Sequence, residues 1–392
     1  MKIQVAKQDL DAALQVASCA LGSGGPDSVA AHYVFRVQKN KDDEWGAEVL
    51  SYSGERLSAA APFISKVEIT DEEVDAGYTR FTIEGSRLKD LIRLLPDEAL
   101  VFEYDGKRTA YKGPSASEGQ HYGSLNPKGY PWWDATLDEA EVTATVPAES
   151  LRRAFSWAKL FVLDDDSRRP DLCIFECRSG IIYATNTRTV ALITVPGLEE
   201  SSLRVYGDNA PKLVSFLAAA GETNIEVMEA GEKALFLRRH DGAIFQEARH
   251  SYAFPKDLKL AKIGTDPHTW EFKTEDLAFA LAMHNTVADK ANNAVRFLPL
   301  GKGEVSLEIS RVSDDGIAKR TLKVKESSEK KAVAIPDKGF MLDRNELGRL
   351  LSFHEEKTLT LGIHPRPQSG FVRVAYGVEG VECQVILAWL RE

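Results

Sequence analysis

Apolar side chains recur along this chain with two periods, and the order in which those periods alternate repeats three times. A helical spacing of i, i+3, i+4 and i+7 marks three amphipathic segments. Lys7 to Leu21 buries Leu10, Ala13, Leu14 and Ala17; Ala148 to Phe161 buries Leu151, Ala154, Phe155 and Ala158; Thr274 to Ala288 buries Leu277, Ala280 and Leu281. Asp9, the pair Glu149 and Ser150, and the run Thr274, Glu275 and Asp276 lie in or near the first turns, where the helix dipole favours negative charge. Alternating strand-like runs follow, at His32–Val37, Asp171–Glu176 and Ala294–Leu298. A second, shorter helix comes next each time: Ser86–Leu95, Ala210–Leu217 and Arg344–Leu351, with Pro211 suited to a first turn and Pro96 to a stop. Hairpins then return, pairing Leu100–Tyr104 with Arg108–Tyr111, Asn224–Met228 with Ala234–Arg238, and Leu359–Ile363 with Gly370–Ala375.

Leu10, Leu151 and Leu277 anchor the first helices, and Leu91, Leu213 and Leu347 the second ones, at domain-sized spacing. Tyr130-Pro131 and Phe254-Pro255 close the first two units, and the third reaches the equivalent place near Trp389. The pattern predicts an α+β protein of three repeated domains, 1–138, 139–267 and 268–392, each with two helices on antiparallel sheets. Linkers are expected near Asp134 to Glu141 and Thr265 to Thr269.

Charge narrows the partners. With 49 basic and 59 acidic residues in 392, the formal net charge is −10, which excludes a chain that coats nucleic acid or anionic membrane by bulk charge. Any DNA contact must be local. No apolar leader follows Met1, and nowhere does the chain reach the ~18 consecutive apolar residues of a spanning helix, so a soluble, cytoplasmic protein without a membrane partner is expected. Four scattered cysteines, Cys19, Cys173, Cys177 and Cys383, do not make a disulfide framework. Cys173 and Cys177, four apart in a strand-like run, read as core.

Catalytic signatures are missing. Gly22-Ser-Gly-Gly25 closes a helix rather than following a strand, Gly301-Lys302-Gly303 lacks the hydroxyl of a phosphate loop, and Gly113 to Ser117 lacks the closing glycine of a nucleophile elbow. His354-Glu355 has Thr358 where a second zinc ligand would stand. Asp164-Asp165-Asp166 is the best metal candidate, but it lacks ligand alternation, and Arg168 and Arg169 follow it, so a solvated loop is expected. No metal and no cofactor are called for. Basic residues do recur at helical spacing: Arg152 and Lys159 share a stripe with Arg153 beside it, Arg87, Lys89 and Arg93 project from another helix, and Lys212, Arg344 and Arg349 add more. For any single helix, a solvated face is the plain alternative.

Three such repeats in an acidic chain without catalytic motifs resemble the bacterial DNA polymerase III beta subunit, the β sliding clamp. The resemblance covers essentially the whole chain. It is strongest in Gly85 to Pro96 with Ser124 to Pro131, in Val146 to Phe155, in Phe254-Pro255 and in Ala294 to Phe297. It implies a head-to-tail homodimeric ring that encircles double-stranded DNA without reading sequence and tethers a DNA polymerase and other replication or repair proteins. A clamp loader would then be a partner, and the protein would be no enzyme. It also implies DNA contacts at the basic stripes and at Arg168 and Arg169, in a loop that reaches toward DNA in that family.

The resemblance further implies a peptide-binding pocket between the second and third domains. Thr185, Arg188 and Val190 stand in the run that corresponds to the family's Thr-Asp-Gly-His-Arg-Leu; Pro255, Lys259 and Leu260 keep its pattern of proline, basic, apolar; and Leu281 falls at its apolar third-domain position. Leu387 and Trp389 lie in the C-terminal strand, Val385 to Arg391. Core packing is the alternative for the apolar ones. The departures fit a divergent clamp, with phage origin in view, whose peptide specificity has changed. Two rival readings are a clamp-fold interaction scaffold or decoy that encircles no DNA, and a metal-dependent enzyme using Asp164 to Asp166.

Overall fold

The computed structural model describes residues 1–392 except 25–26, 41, 55, 95–98, 113–119, 124, 126–129, 131, 165–167, 256–264, 288–292, 311–316, 330–331, 367–368 and 391–392. Several sequence-based expectations therefore lie outside the described residues: Pro96 as a stop, Gly113 to Ser117, Pro131, Asp165 and Asp166, and Lys259 and Leu260.

The chain is α+β, with helices laid on antiparallel sheets. One element order recurs three times. A strand runs directly into the first helix at Lys2–Ala6/Lys7–Ala17, Glu141–Pro147/Ala148–Leu160 and His268–Lys273/Thr274–Val287. A later strand leads into the second helix at Arg80–Glu84/Gly85–Leu94, Arg204–Tyr206/Ala210–Ala218 and Phe340–Asp343/Arg344–Phe353. The apolar stripes explain the packing, since Leu10, Leu151 and Leu277 are all fully buried.

The strand register corrects the second-helix anchor. His32 pairs with Glu84 and Ala294 with Asp343, each the last strand residue before its helix, so Gly85 is equivalent to Arg344. Leu88 rather than Leu91 then matches Leu347; all three are buried on one face, so sequence spacing alone does not choose between them. Two smaller corrections follow from backbone geometry. The first helix ends at Ala17, and a 3-10 turn, Ser18–Ala20, continues it. Asp171 and Leu172 also sit in a 3-10 turn that starts at Pro170, so Cys173 precedes the strand Ile174–Arg178; both Cys173 and Cys177 are nonetheless buried thiols outside any disulfide.

Two compact units organise these elements. The first holds Met1–Arg152, Gly197–Val205 and Asn209–Ser251, and the second holds Arg153–Pro196, Tyr206–Asp208 and Tyr252–Glu392. In the first unit the hairpin run His32–Lys39, Trp45–Tyr52, Leu57–Phe63 meets the run Asn224–Ala230, Ala234–Arg239, Ile244–Ala248 through their third strands, with Ile244 opposite Ala60. The second unit repeats that junction. There Ile174–Arg178, Ile181–Thr185, Thr189–Thr194 meets Thr358–Arg366, Ser369–Val378, Val381–Ala388, again through third strands, with Val190 opposite Ile386. Two further runs have no such neighbour among the described residues. Gln120–Gly123, the third strand after Ala99–Tyr104 and Arg108–Lys112, ends one sheet, and Ile317–Lys323, the third strand after Ala294–Gly301 and Glu304–Ser310, ends another.

The segment expected as a linker near Asp134 folds as a short helix, Asp134–Asp138. Buried Tyr130 and Trp133 pack on Val34, Leu50, Met228 and Phe236, and Asp134 accepts from Arg36 at 2.7 and 2.8 Å. A buried polar centre also lies in this unit. Desolvation pushes the Glu229 carboxyl up, but hydrogen bonds from Ser202 (2.6 Å), Ser201 (2.8 Å) and Arg249 outweigh it and hold the pKa below the ordinary 4.5. A depressed folded-state pKa contributes stability above about pH 4.5 that is lost as pH falls through the folded value. Urea midpoints at about pH 6 and about pH 3 should therefore fall further for the native chain than for Glu229→Gln. Equal falls would assign the acid sensitivity elsewhere.

Candidate functional site

The basic residues expected to face nucleic acid separate into two groups. In the first, a carboxylate of the same chain meets the charge: Arg87 with Glu84 (2.7 Å), Arg152 with Glu149 (2.5 and 2.7 Å), Arg153 with Glu379 (3.1 Å), Arg169 with Asp171 (2.9 Å) and Arg349 with Glu346 (3.0 Å). Lys159 bridges Asp164 (3.0 Å) and Asp208 (2.8 Å); burial opposes its charge, but the hydrogen bonds to Asp208 and Asp164 win and raise its pKa. Arg152 is likewise raised by its hydrogen bonds to Glu149. The stripe of Arg152 and Lys159 is thus compensated at short range. In the second group, Lys89 and Arg93 are exposed on Gly85–Leu94 and make no ion pair among the described residues, with Asp90 exposed beside them. Arg168 is exposed, Lys212 is half-buried, and Arg344 donates to the side chain of Asn293 at 3.2 Å.

The residues expected at a partner pocket gather around a different feature. The turn between Ile181–Thr185 and Thr189–Thr194 needs a left-handed residue, and Thr187 takes φ 80° there. Asn186 holds the turn, its Oδ1 accepting from the backbone N–H groups of Arg188 (3.2 Å) and Thr189 (3.0 Å). Its Nδ2 donates to Glu346 (2.9 Å), as does the Thr189 hydroxyl (2.9 Å), and Thr185 donates to the Thr189 carbonyl at 2.7 Å. Glu346 is buried, in the first turn of the helix Arg344–Phe353. Asp343 caps that helix, accepting from the N–H groups of Asn345 (2.9 Å) and Glu346 (3.3 Å), and also pairs with the exposed Arg188. A buried polar knot therefore clamps the turn to a helix N-terminus and presents Arg188.

Sequence reasoning singled out Thr185, Arg188 and Val190 and passed over Asn186, Thr189, Asp343 and Glu346. The cap was legible, since Asp343 precedes the helix and Glu346 stands in its first turn. The long-range pairing was not. Val190, Leu281 and Leu387 are buried, Val190 in a cluster with Phe371 and Ile386. Pro255 is half-buried, and Arg178 donates to its carbonyl at 3.3 Å. Trp389 stacks flat on Phe340, with ring centroids 4.9 Å apart and planes 6° from parallel. It lies so close to Gly370 that a Cβ there would meet the indole at 2.4 Å.

Among the described residues no group of three or more His, Cys, Asp or Glu side chains is placed to hold a metal ion, and no helix is long and apolar enough to cross a membrane.

Neither the known protein-family models nor the curated proteins contain a match to the sequence. Solved structures do. The chain is similar to the DNA polymerase III beta subunit of Thermotoga maritima at 15% identity and a TM-score of 0.77, with 100% of this chain and 99% of that chain covered. It is also similar to the DNA polymerase III beta subunit of Pseudomonas aeruginosa, at 12% identity and a TM-score of 0.78, with both chains fully covered. A second structure from that organism, a DNA polymerase sliding clamp, gives 12% identity and a TM-score of 0.76, again over the full length of both. The chain has the sliding-clamp fold. Identity this low leaves the shared signal in element order and strand pairing, where the apolar periodicity also lies.

Proposed function

We propose that the chain is a sliding clamp: two copies close head-to-tail into a ring around duplex DNA and tether a DNA polymerase, without catalysing a reaction. The observation that carries this reading is the pair of open sheet edges. Third strand meets third strand at both junctions within the chain, and among the described residues the two third strands left without such a neighbour are Gln120–Gly123 and Ile317–Lys323. Each is the complement of the other by position. A second copy supplies the missing strand at both ends, and because the two surfaces differ, the contact is heterologous and closes only as a ring. Open edges of this kind are otherwise an aggregation hazard.

A ring holds DNA by topology, so its contacts need neither strength nor sequence information. The compensated Arg152 and Lys159 suit that role. Loading would need a clamp loader or an opening of the ring, the tether site is the Asn186–Arg188 turn, and the reading places the protein in the cytoplasm with the replication machinery. Charge compensation also favours a second reading, a clamp-fold scaffold that binds proteins and no DNA. Light scattering tests closure: the ring predicts twice the 43.3 kDa chain mass. A mass of one chain at about 10 μM would sink it.

Lys89 and Arg93 give the cleaner test of DNA contact, because reversing Lys159 would crowd a third carboxylate beside Asp164 and Asp208. Lys89→Glu with Arg93→Glu should lower the salt slope of duplex binding by about 0.9 per lost phosphate contact while leaving the thermal melt unchanged. An unchanged slope would favour the scaffold.

A further inference from the structure

We infer that His284 and Arg344 form a proton-operated latch in the third repeat: protonation of His284 loosens the start of the helix Arg344–Phe353 and releases the Asn186–Arg188 turn clamped to it. This rests on the reading of that turn as the tether site. The other two repeats supply the reference. His284 lies on the helix Thr274–Val287 at the place that Ala17 holds on Lys7–Ala17 and Ala158 on Ala148–Leu160, both alanines being wholly buried. Arg344 stands where Gly85 and Gly207 stand, since each of the three directly follows a strand. The N–H of Gly207 donates to the Cys173 carbonyl as that of Arg344 donates to Asn293, both at 2.7 Å, and each acceptor immediately precedes the strand after the first helix. At the two glycines a Cβ would meet Leu21 at 2.7 Å or Val162 at 2.6 Å.

Where two repeats pack small residues, the third therefore inserts an imidazole and a guanidinium. Neither is satisfied. His284 is 1% exposed, and both its ring nitrogens lack a hydrogen-bond partner among the described residues, as do the buried Nε and Nη1 of Arg344. Burial first, and the Arg344 charge second, hold the His284 pKa below the ordinary 6.5. The carboxylates of the second helix are already taken, Glu346 by Asn186, Thr189 and Arg349, and Asp343 by Arg188 and two backbone N–H groups. On the strands packed against Thr274–Val287, Glu308 pairs with Lys319 (2.9 Å), Glu271 with Lys325 (3.9 Å) and His268 with Ser328 (2.9 Å), while Arg320 covers the Phe279 ring. Lys273, Glu304 and Lys323 are exposed, and Glu275 and Asp276 lie at the far end of the His284 helix. The closed form thus binds a proton less well than an open one, and opening is favoured as pH falls below about 6.5. Asp343 and Glu346, which fasten the turn, are the cap and the first turn of the helix that Arg344 begins, so the turn loosens with it.

Hydrogen exchange read by mass spectrometry, corrected for its intrinsic pH dependence, follows the latch with no partner present. Between about pH 7.5 and about pH 5.5, the opening constants of residues 183–190 and 344–353 should rise up to about tenfold, the most that one histidine contributes over one pH unit below 6.5. His284→Ala, the residue of the other two repeats, and the more conservative His284→Gln should both lose that rise, so the test survives if one of them does not fold. A native rise below about twofold, or an equal rise in a variant that cannot titrate, would overturn the latch. A rise confined to 344–353 would overturn its control of the turn. Because no partner enters the measurement, a chain that tethers nothing would still show the rise, so the latch and the tether reading fail separately.

Discussion

Lys319→Pro and Arg320→Pro, made one at a time, should yield one variant that is folded but monomeric. Successive residues of a strand send their N–H groups to opposite neighbours, so of these two positions one donates toward Glu304–Ser310 and the other toward the open edge. Proline removes the donor and its ring crowds the approaching strand. The inward variant should lose thermal stability. The outward one should keep the native melt and raise the dimer dissociation constant by at least about tenfold, since a lost ladder hydrogen bond that leaves its facing carbonyl unpaired costs about 1–3 kcal/mol. The ion pair of Lys319 with Glu308 is a surface contact that does not change this expectation. Two variants that both melt and associate like the native chain would show that Ile317–Lys323 is not a closing edge.

Glu346→Ala should have the largest effect on stability. Its carboxylate accepts from Asn186, Thr189 and Arg349 while buried, so truncation strands polar groups of both the turn and the helix. Removing one partner of a buried polar pair costs about 3–5 kcal/mol, most of it from the partners left behind. Glu346→Gln keeps one acceptor oxygen and should cost about half as much. Urea unfolding reads both. The turn should also lose its fixed shape, so any peptide that docks beside Arg188 should bind the Gln variant less tightly than the native chain. An Ala variant within about 1 kcal/mol of native would mean that the knot is solvated rather than clamped.

What the sequence revealed follows from the range of the interactions. Helices were legible because Leu10, Leu151 and Leu277 sit in local apolar periodicity, and the recurrence of that periodicity exposed the repeat. The register of the second helix was not, since Leu88 and Leu91 satisfy the same face and only the pairing of His32 with Glu84 fixes it. Half of the charge compensation was readable: Arg87 with Glu84, Arg152 with Glu149 and Arg349 with Glu346 are three residues apart on helices or their first turns. Arg153 with Glu379 and Lys159 with Asp208 join residues far apart in the chain, and no spacing rule reaches them. Apolar positions read as a binding surface, Val190 and Leu387, are core, because hydrophobicity alone does not distinguish a pocket wall from a packed interior.

Topological retention tests the clamp most directly. The protein, dissociated by dilution, is mixed with nicked circular plasmid and then concentrated, and the complex is passed through a sizing column in about 0.5 M salt, which screens phosphate contacts. A closed ring predicts that the protein co-elutes with the circle and is shed when a restriction enzyme linearises it. Equal retention on circular and linear DNA, or none on either, would contradict encirclement.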